Sequence, residues 1–126
     1  MILEHVYSNG AVSADVDQMS RESHGWRFGL NITQTWRDNH IRVGMQDKRV
    51  IVTEYNQSAR GAEKPYRPID CYEDGRLQRD LSYIQRTLPT CSDVLYFTSS
   101  SHGGWYGFDP KDVPLLKADM ERVWQG

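Results

Sequence analysis

The stretch Gly25-Trp26-Arg27-Phe28-Gly29-Leu30-Asn31-Ile32-Thr33-Gln34-Thr35-Trp36 decides how this chain is read. Trp26, Phe28, Leu30, Ile32, Gln34 and Trp36 fall on every second position, which predicts one long strand with its apolar side chains on a single face. After the turn-forming Arg37-Asp38-Asn39-His40, the run Ile41-Arg42-Val43-Gly44-Met45 alternates in the same way. Gln46-Asp47-Lys48 then leads into Arg49-Val50-Ile51-Val52-Thr53-Glu54-Tyr55, whose β-branched and aromatic content suits a third strand. The expectation is an antiparallel meander over residues 26–55, with Trp26 and Trp36 on its core face and Arg27 and Arg42 on its polar face.

On the N-terminal side, Ile2 to Tyr7 reads as a short strand closed by Ser8-Asn9-Gly10, with Ala11 to Val16 returning as a hairpin. Asp17 to Ser23 has no apolar period and reads as a loop. On the C-terminal side, Leu77, Leu81, Ile84 and Leu88 repeat at helical spacing and Pro89 ends the pattern, so a helix is expected over 76–88. Arg76, Arg79, Asp80, Gln85 and Arg86 fall elsewhere around its circumference, as on any surface helix. Val94-Leu95-Tyr96-Phe97 reads as a buried strand. Asp109 offers an N-cap and Pro110 a first helical residue, while Val113, Leu116, Met120, Val123 and Trp124 form the stripe of a helix over 110–124. Together these elements predict one α+β domain spanning residues 1–126. Its antiparallel sheet would have about four to five strands and carry the two helices on one face.

Composition narrows the function classes. The chain has 126 residues, 38% hydrophobic and 25% charged, typical of a soluble single domain. Fifteen Lys+Arg face 17 Asp+Glu, a formal net charge of -2, which leaves no basic footprint for non-specific nucleic-acid binding. No apolar run approaches the length of a membrane helix, and Met1 to His5 lacks the order of a signal peptide. A cytoplasmic protein is expected. Cys71 and Cys91 lie twenty positions apart and form no metal-binding or redox pattern, so they read as two packed thiols, and no cofactor or metal is predicted.

Two segments carry the functional expectations. Thr98-Ser99-Ser100-Ser101-His102-Gly103-Gly104-Trp105-Tyr106-Gly107-Phe108 joins hydroxyls, glycines and aromatics between a strand and a helix. Backbone N–H groups freed by glycine, serine hydroxyls and a helix dipole suit an anion, although no phosphate-loop pattern is present and Asp109 opposes one. A tight aromatic turn is the plainer alternative. The leading expectation is non-catalytic binding of a small anionic ligand such as a nucleotide. Ser99, Ser100, Ser101, His102, Trp105 and Tyr106 would contact it with Arg27 and Arg42, at a site that a homo-oligomer would place between subunits. The second segment, residues 56–68, has two prolines and no period; Arg60, Lys64, Tyr66 and Arg67 would be its contacts in a protein-interaction or inhibitor module. In size and in lacking an enzyme signature, the chain resembles in a general way small inhibitor and sequestering proteins of phages and mobile elements.

A hydrolase or nuclease ranks third. It would use His102, with His24 or His40 and Arg42 supplying the second titrating group and a cation. No nucleophile elbow or metalloprotease pattern is present, so no catalytic residue is assigned and an enzyme ranks behind a binding protein.

Overall fold

A computed structural model describes residues 1–9, 22–23, 26–27, 30, 32–58, 72–97 and 109–125. In chain order these form β1 (Ile2–Asn9), β2 (Glu22–Ser23), β3 (Trp26–Arg27), α1 (Ile32–Arg42), β4 (Val50–Ser58), α2 (Arg76–Thr87), β5 (Cys91–Tyr96) and α3 (Pro114–Gln125). Strands β1, β4 and β5 pair in that order, and both pairings are parallel. The two-residue strands β2 and β3 make a separate antiparallel pair.

This corrects the meander. The chain is of mixed α+β class, but among the described residues its main sheet is parallel and three-stranded, not antiparallel with four or five strands. Among the described residues of the expected first strand, Trp26–Arg27 is extended, and Ile32–Arg42 is helical. The reason is a degeneracy of periods. Ile32 and Trp36 belong to the alternating series but are also four apart, and His40 continues the row; α1 turns these residues, with Thr33 beside them, toward the interior. Over so short a run, tertiary contacts choose the outcome. Thr33 and Thr87 bring their hydroxyl oxygens within 2.6 Å, and Gln34 Nε2 donates to the Tyr83 hydroxyl at 2.8 Å.

The expected strand Ile41 to Met45 is instead the end of α1. Met45 N–H reaches the His40 carbonyl at 2.7 Å and Gly44 N–H reaches that of Ile41 at 3.1 Å, with Gly44 at φ 75°. This pair of bonds around a left-handed glycine is the Schellman way of stopping a helix. Arg42 therefore leaves the polar face of a sheet for an exposed helix end, where its Nη2 donates to Asn39 Oδ1 at 2.9 Å. Arg27 is in β3, outside the main sheet.

Helix α3 starts at Pro114 rather than 110, because Asp109 folds the preceding residues into a turn. Its Oδ1 accepts from Lys111 N–H at 2.8 Å, and its carbonyl accepts from Asp112 and Val113. Pro114 then fills the first helical position, which requires no N–H donor.

The three helices share one core on one side of the sheet. Val52 and Tyr55 of β4 pack with Leu77, Tyr83 and Ile84 of α2 and Leu116 of α3, joined by Leu30, Tyr72 and Val113; Ile32 and Trp36 of α1 pack against that cluster. Val52 and Tyr55 are an odd number of residues apart, yet both are buried. A register shift makes this possible: β4 uses three steps between Val52 and Tyr55 where β5 uses two between Val94 and Tyr96. Such an extra residue turns the following side chains to the other face. The opposite face of the sheet leaves Leu3 57% and Leu95 53% exposed.

Candidate functional site

Parallel strands put their carboxyl ends at one edge, and in open sheets of this kind ligands bind beyond that edge. Here it is marked by Asn9, Ser58 and Tyr96, the last residues of β1, β4 and β5. Under it lies a buried polar cluster. Arg76 and Asp80, one turn apart on α2, are among the most buried side chains, with Arg76 only 1% exposed. Tyr55 donates its hydroxyl to Asp80 Oδ2 at 2.5 Å, and the Tyr96 ring meets that of Tyr55 edge-on at 5.7 Å. Phe97 N–H continues the β4 contact by donating to the Tyr55 carbonyl at 2.8 Å.

Burial is the main reason that both phenols hold their protons well above the ordinary tyrosine range. For Tyr55 the neighbouring Asp80 charge adds to it, and for both rings the Arg76 charge acts in the opposite sense. The Tyr55 hydroxyl gives the buried Asp80 carboxylate one hydrogen bond in place of lost water.

The start of α2 at the same edge is held by α3. Gly75, in a left-handed conformation at φ 79°, has no side chain to cap the helix. The fully buried Asp119 supplies the acceptor instead, at 2.9 Å from Gly75 N–H and 2.5 Å from the Tyr72 hydroxyl, and it also pairs with Arg122. Arg122 in turn reaches Asp74 at 2.5 Å.

Between α2, β5 and α3 a cleft opens on the flank of this cluster. Its wider part, about 430 Å³, is walled by Tyr55, Leu81, Tyr96, Met120 and Trp124. A second hollow of about 300 Å³ continues along the start of β5 past Cys91, Ser92 and Asp93. Leu81, Val94 and Val123 line both. The Cys91 thiol is free, and burial raises it above the usual range. Arg49 fixes the far end, donating to Ser92 Oγ and Asp93 Oδ2, each at 2.6 Å; Ser92 and Arg49 together hold the Asp93 carboxyl below the ordinary range.

Of the residues predicted from sequence, Arg42 is carried away from the carboxyl edge on the chain that leads to the start of β4. Ser99, Ser100, Ser101, His102, Trp105 and Tyr106 lie outside the described residues, as do Arg60, Lys64, Tyr66, Arg67, His24 and Cys71. His40 is buried and its Nε2 lies 3.7 Å from Glu4 Oε1, while exposed His5 lies 3.5 Å from Glu54. Burial raises the Glu4 carboxyl above the ordinary glutamate range against the attraction of His40 and His5. Among the described residues, no group of three or more His, Cys, Asp or Glu is arranged to hold a metal ion.

Sequence reading missed Arg76 and Asp80 by assigning them to a solvated face. Opposite charges four apart, directly beside the Leu77 and Leu81 stripe, were the available signal. No protein-family model, curated protein or solved structure matches the chain. No helix among the described residues is long and apolar enough to cross a membrane.

Proposed function

We propose that the chain is a non-catalytic binding protein for a small anionic ligand, with a nucleotide as the first candidate, bound beyond the carboxyl edge of the parallel sheet. The observation that carries this reading is the parallel register of β1, β4 and β5, which assigns three strand ends to one edge. Residues 59–71 and 98–108, which include Arg60, Lys64, Tyr66, Arg67 and the stretch Ser99 to Tyr106, follow β4 and β5 in the chain. Helix α2 runs from that edge back to the start of β5, which directs the positive end of its dipole to the same region. That end is already occupied by Asp119, so Ser99, Ser100, Ser101 and His102 would supply the donors for an anion.

The test is a thermal-shift series with nucleoside mono-, di- and triphosphates, cyclic dinucleotides and inorganic phosphate. A ligand at about 100 times its Kd stabilises by about 2.7 kcal/mol. Ser100→Ala and His102→Ala are expected to reduce the shift, and a melting temperature unmoved by the whole panel removes the reading.

A second reading, a protein-interaction or inhibitor module, is favoured by one feature. Met1, Ile41, Val43 and Met45 are exposed apolar side chains, and the His40–Glu4 contact brings the end of α1 to β1. Its partner would be another protein or a second copy of the chain. A mass of one chain by light scattering, together with no captured partner lost on Val43→Glu, counts against it.

A further inference from the structure

We infer that the cleft between α2, β5 and α3 is a separate binding site for an uncharged, elongated and mainly apolar small molecule. The inference does not rest on the anion reading, since it concerns another surface and the opposite ligand chemistry.

Continuity gives the shape. The hollows of about 430 and 300 Å³ share Leu81, Val94 and Val123, so they form one trough along β5. Six residues of strand span about 20 Å at roughly 3.3 Å each, which sets the length of the trough. Each hollow falls within or near the range of about 300–1,000 Å³ typical of small-molecule sites. The middle of the trough is aliphatic; Tyr55 and Tyr96 line one end, and Ser92 and Asp93 the other.

Charge decides the class. Asp93 carries an ionised carboxylate whose charge is matched by Arg49. A phosphate or carboxylate head group at that end meets the Asp93 carboxylate, while the cation that would attract it is already engaged. At the other end the buried Asp80 carboxylate lies behind Tyr55, with the Arg76 charge acting in the opposite sense. An anion is therefore disfavoured at the Asp93 end, and an apolar, uncharged body fits the length of the trough. The wall toward solvent consists of Val123 and Trp124, the latter 93% exposed, on the part of α3 beyond its tie through Arg122 to Asp74. A flat indole at the mouth of an aliphatic trough is suited to fold over an apolar ligand.

The probe is N-phenyl-1-naphthylamine, a neutral dye that brightens in apolar surroundings, titrated into the full chain. A saturable rise with one dye per chain is expected. Val123→Glu and Trp124→Ala change exposed side chains and preserve the fold; each is expected to weaken dye binding at least tenfold with the melting temperature nearly unchanged. Any nucleotide-induced thermal shift persists in both variants, which separates failure of this site from failure of the anion site. Absence of saturable dye binding, or equal affinity in both variants, overturns the inference. So does self-association abolished by Val123→Glu in a protein that takes up no dye, since the cleft then belongs to a second copy of the chain.

Discussion

The Asp119 carboxylate of α3 accepts the backbone N–H of Gly75 at 2.9 Å, so one helix caps another from a distance of 44 residues. The same carboxylate accepts the Tyr72 hydroxyl at 2.5 Å, and that hydroxyl oxygen accepts Leu77 N–H at 3.1 Å. The N-cap N–H is thus met by one buried acid, which also holds the hydroxyl that accepts Leu77 N–H in the first turn of α2. Asp119→Ala leaves Gly75 N–H and the Tyr72 hydroxyl without this acceptor and is expected to cost about 2–4 kcal/mol, read as a lower urea midpoint. Asp119→Asn keeps an acceptor oxygen and is expected to lose less than the alanine variant. Equal midpoints for Asp119→Ala and the parent chain contradict the interhelical cap.

Tyr55 joins the central strand to α2 through Asp80, and its ring is fully buried. Tyr55→Phe keeps the ring but withdraws a donor from a buried carboxylate, with an expected loss of about 1–3 kcal/mol. Chemical denaturation of the two proteins measures it, and equal midpoints contradict the Tyr55–Asp80 bond.

How much of this was legible in the sequence depends on how local the deciding contacts are. Helix α2 and strands β1, β4 and β5 follow from their own periods and composition to within a few residues. Helix α1 does not, since Ile32 and Trp36 satisfy a period of two and a spacing of four at once, and its stop signal at Gly44 reads equally well inside a strand. Calling α1 a strand joined β4 to it as an antiparallel neighbour. With a helix there, the connection becomes a crossover and the sheet turns parallel. The buried bonds of Asp80 and Asp119 reach partners 25 and 47 residues away, Tyr55 and Tyr72. Spacing along one helix cannot contain that information.

Glu4 gives a test of linkage between acid and fold. Burial raises its carboxyl above the unfolded value, the larger effect, while His40 and His5 pull the other way. A raised folded-state pKa means that the folded chain holds this proton more tightly. The contribution is fully present below the ordinary glutamate pKa of about 4.3 and is lost as pH rises through the folded value. Glu4→Gln should therefore be relatively more stable than the parent at neutral pH than in acid. Melting temperatures of the two proteins from acid to neutrality check this, and a gain that grows toward low pH reverses the sign and refutes it.

The buried phenols predict the alkaline limit. Tyr55, Tyr72 and Tyr96 are each raised by burial above the ordinary value of about 10; the Asp80 charge adds to this for Tyr55, and the bond to Asp119 adds to it for Tyr72. In the unfolded chain these groups ionise at their ordinary value, so above it the unfolded state releases protons that the folded state retains. Their contribution is complete below about pH 10 and declines as pH climbs beyond it. Tyrosinate absorbance from these three rings should consequently appear together with the loss of circular dichroism, in one cooperative step. Tyr72→Phe removes one ionising group and is expected to make the fall in stability above pH 10 less steep, even though the variant loses the donor to Asp119 and starts from lower stability. Ionisation of all the tyrosines while the helical signal stays intact would contradict the burial of the cluster on which the carboxyl edge is built.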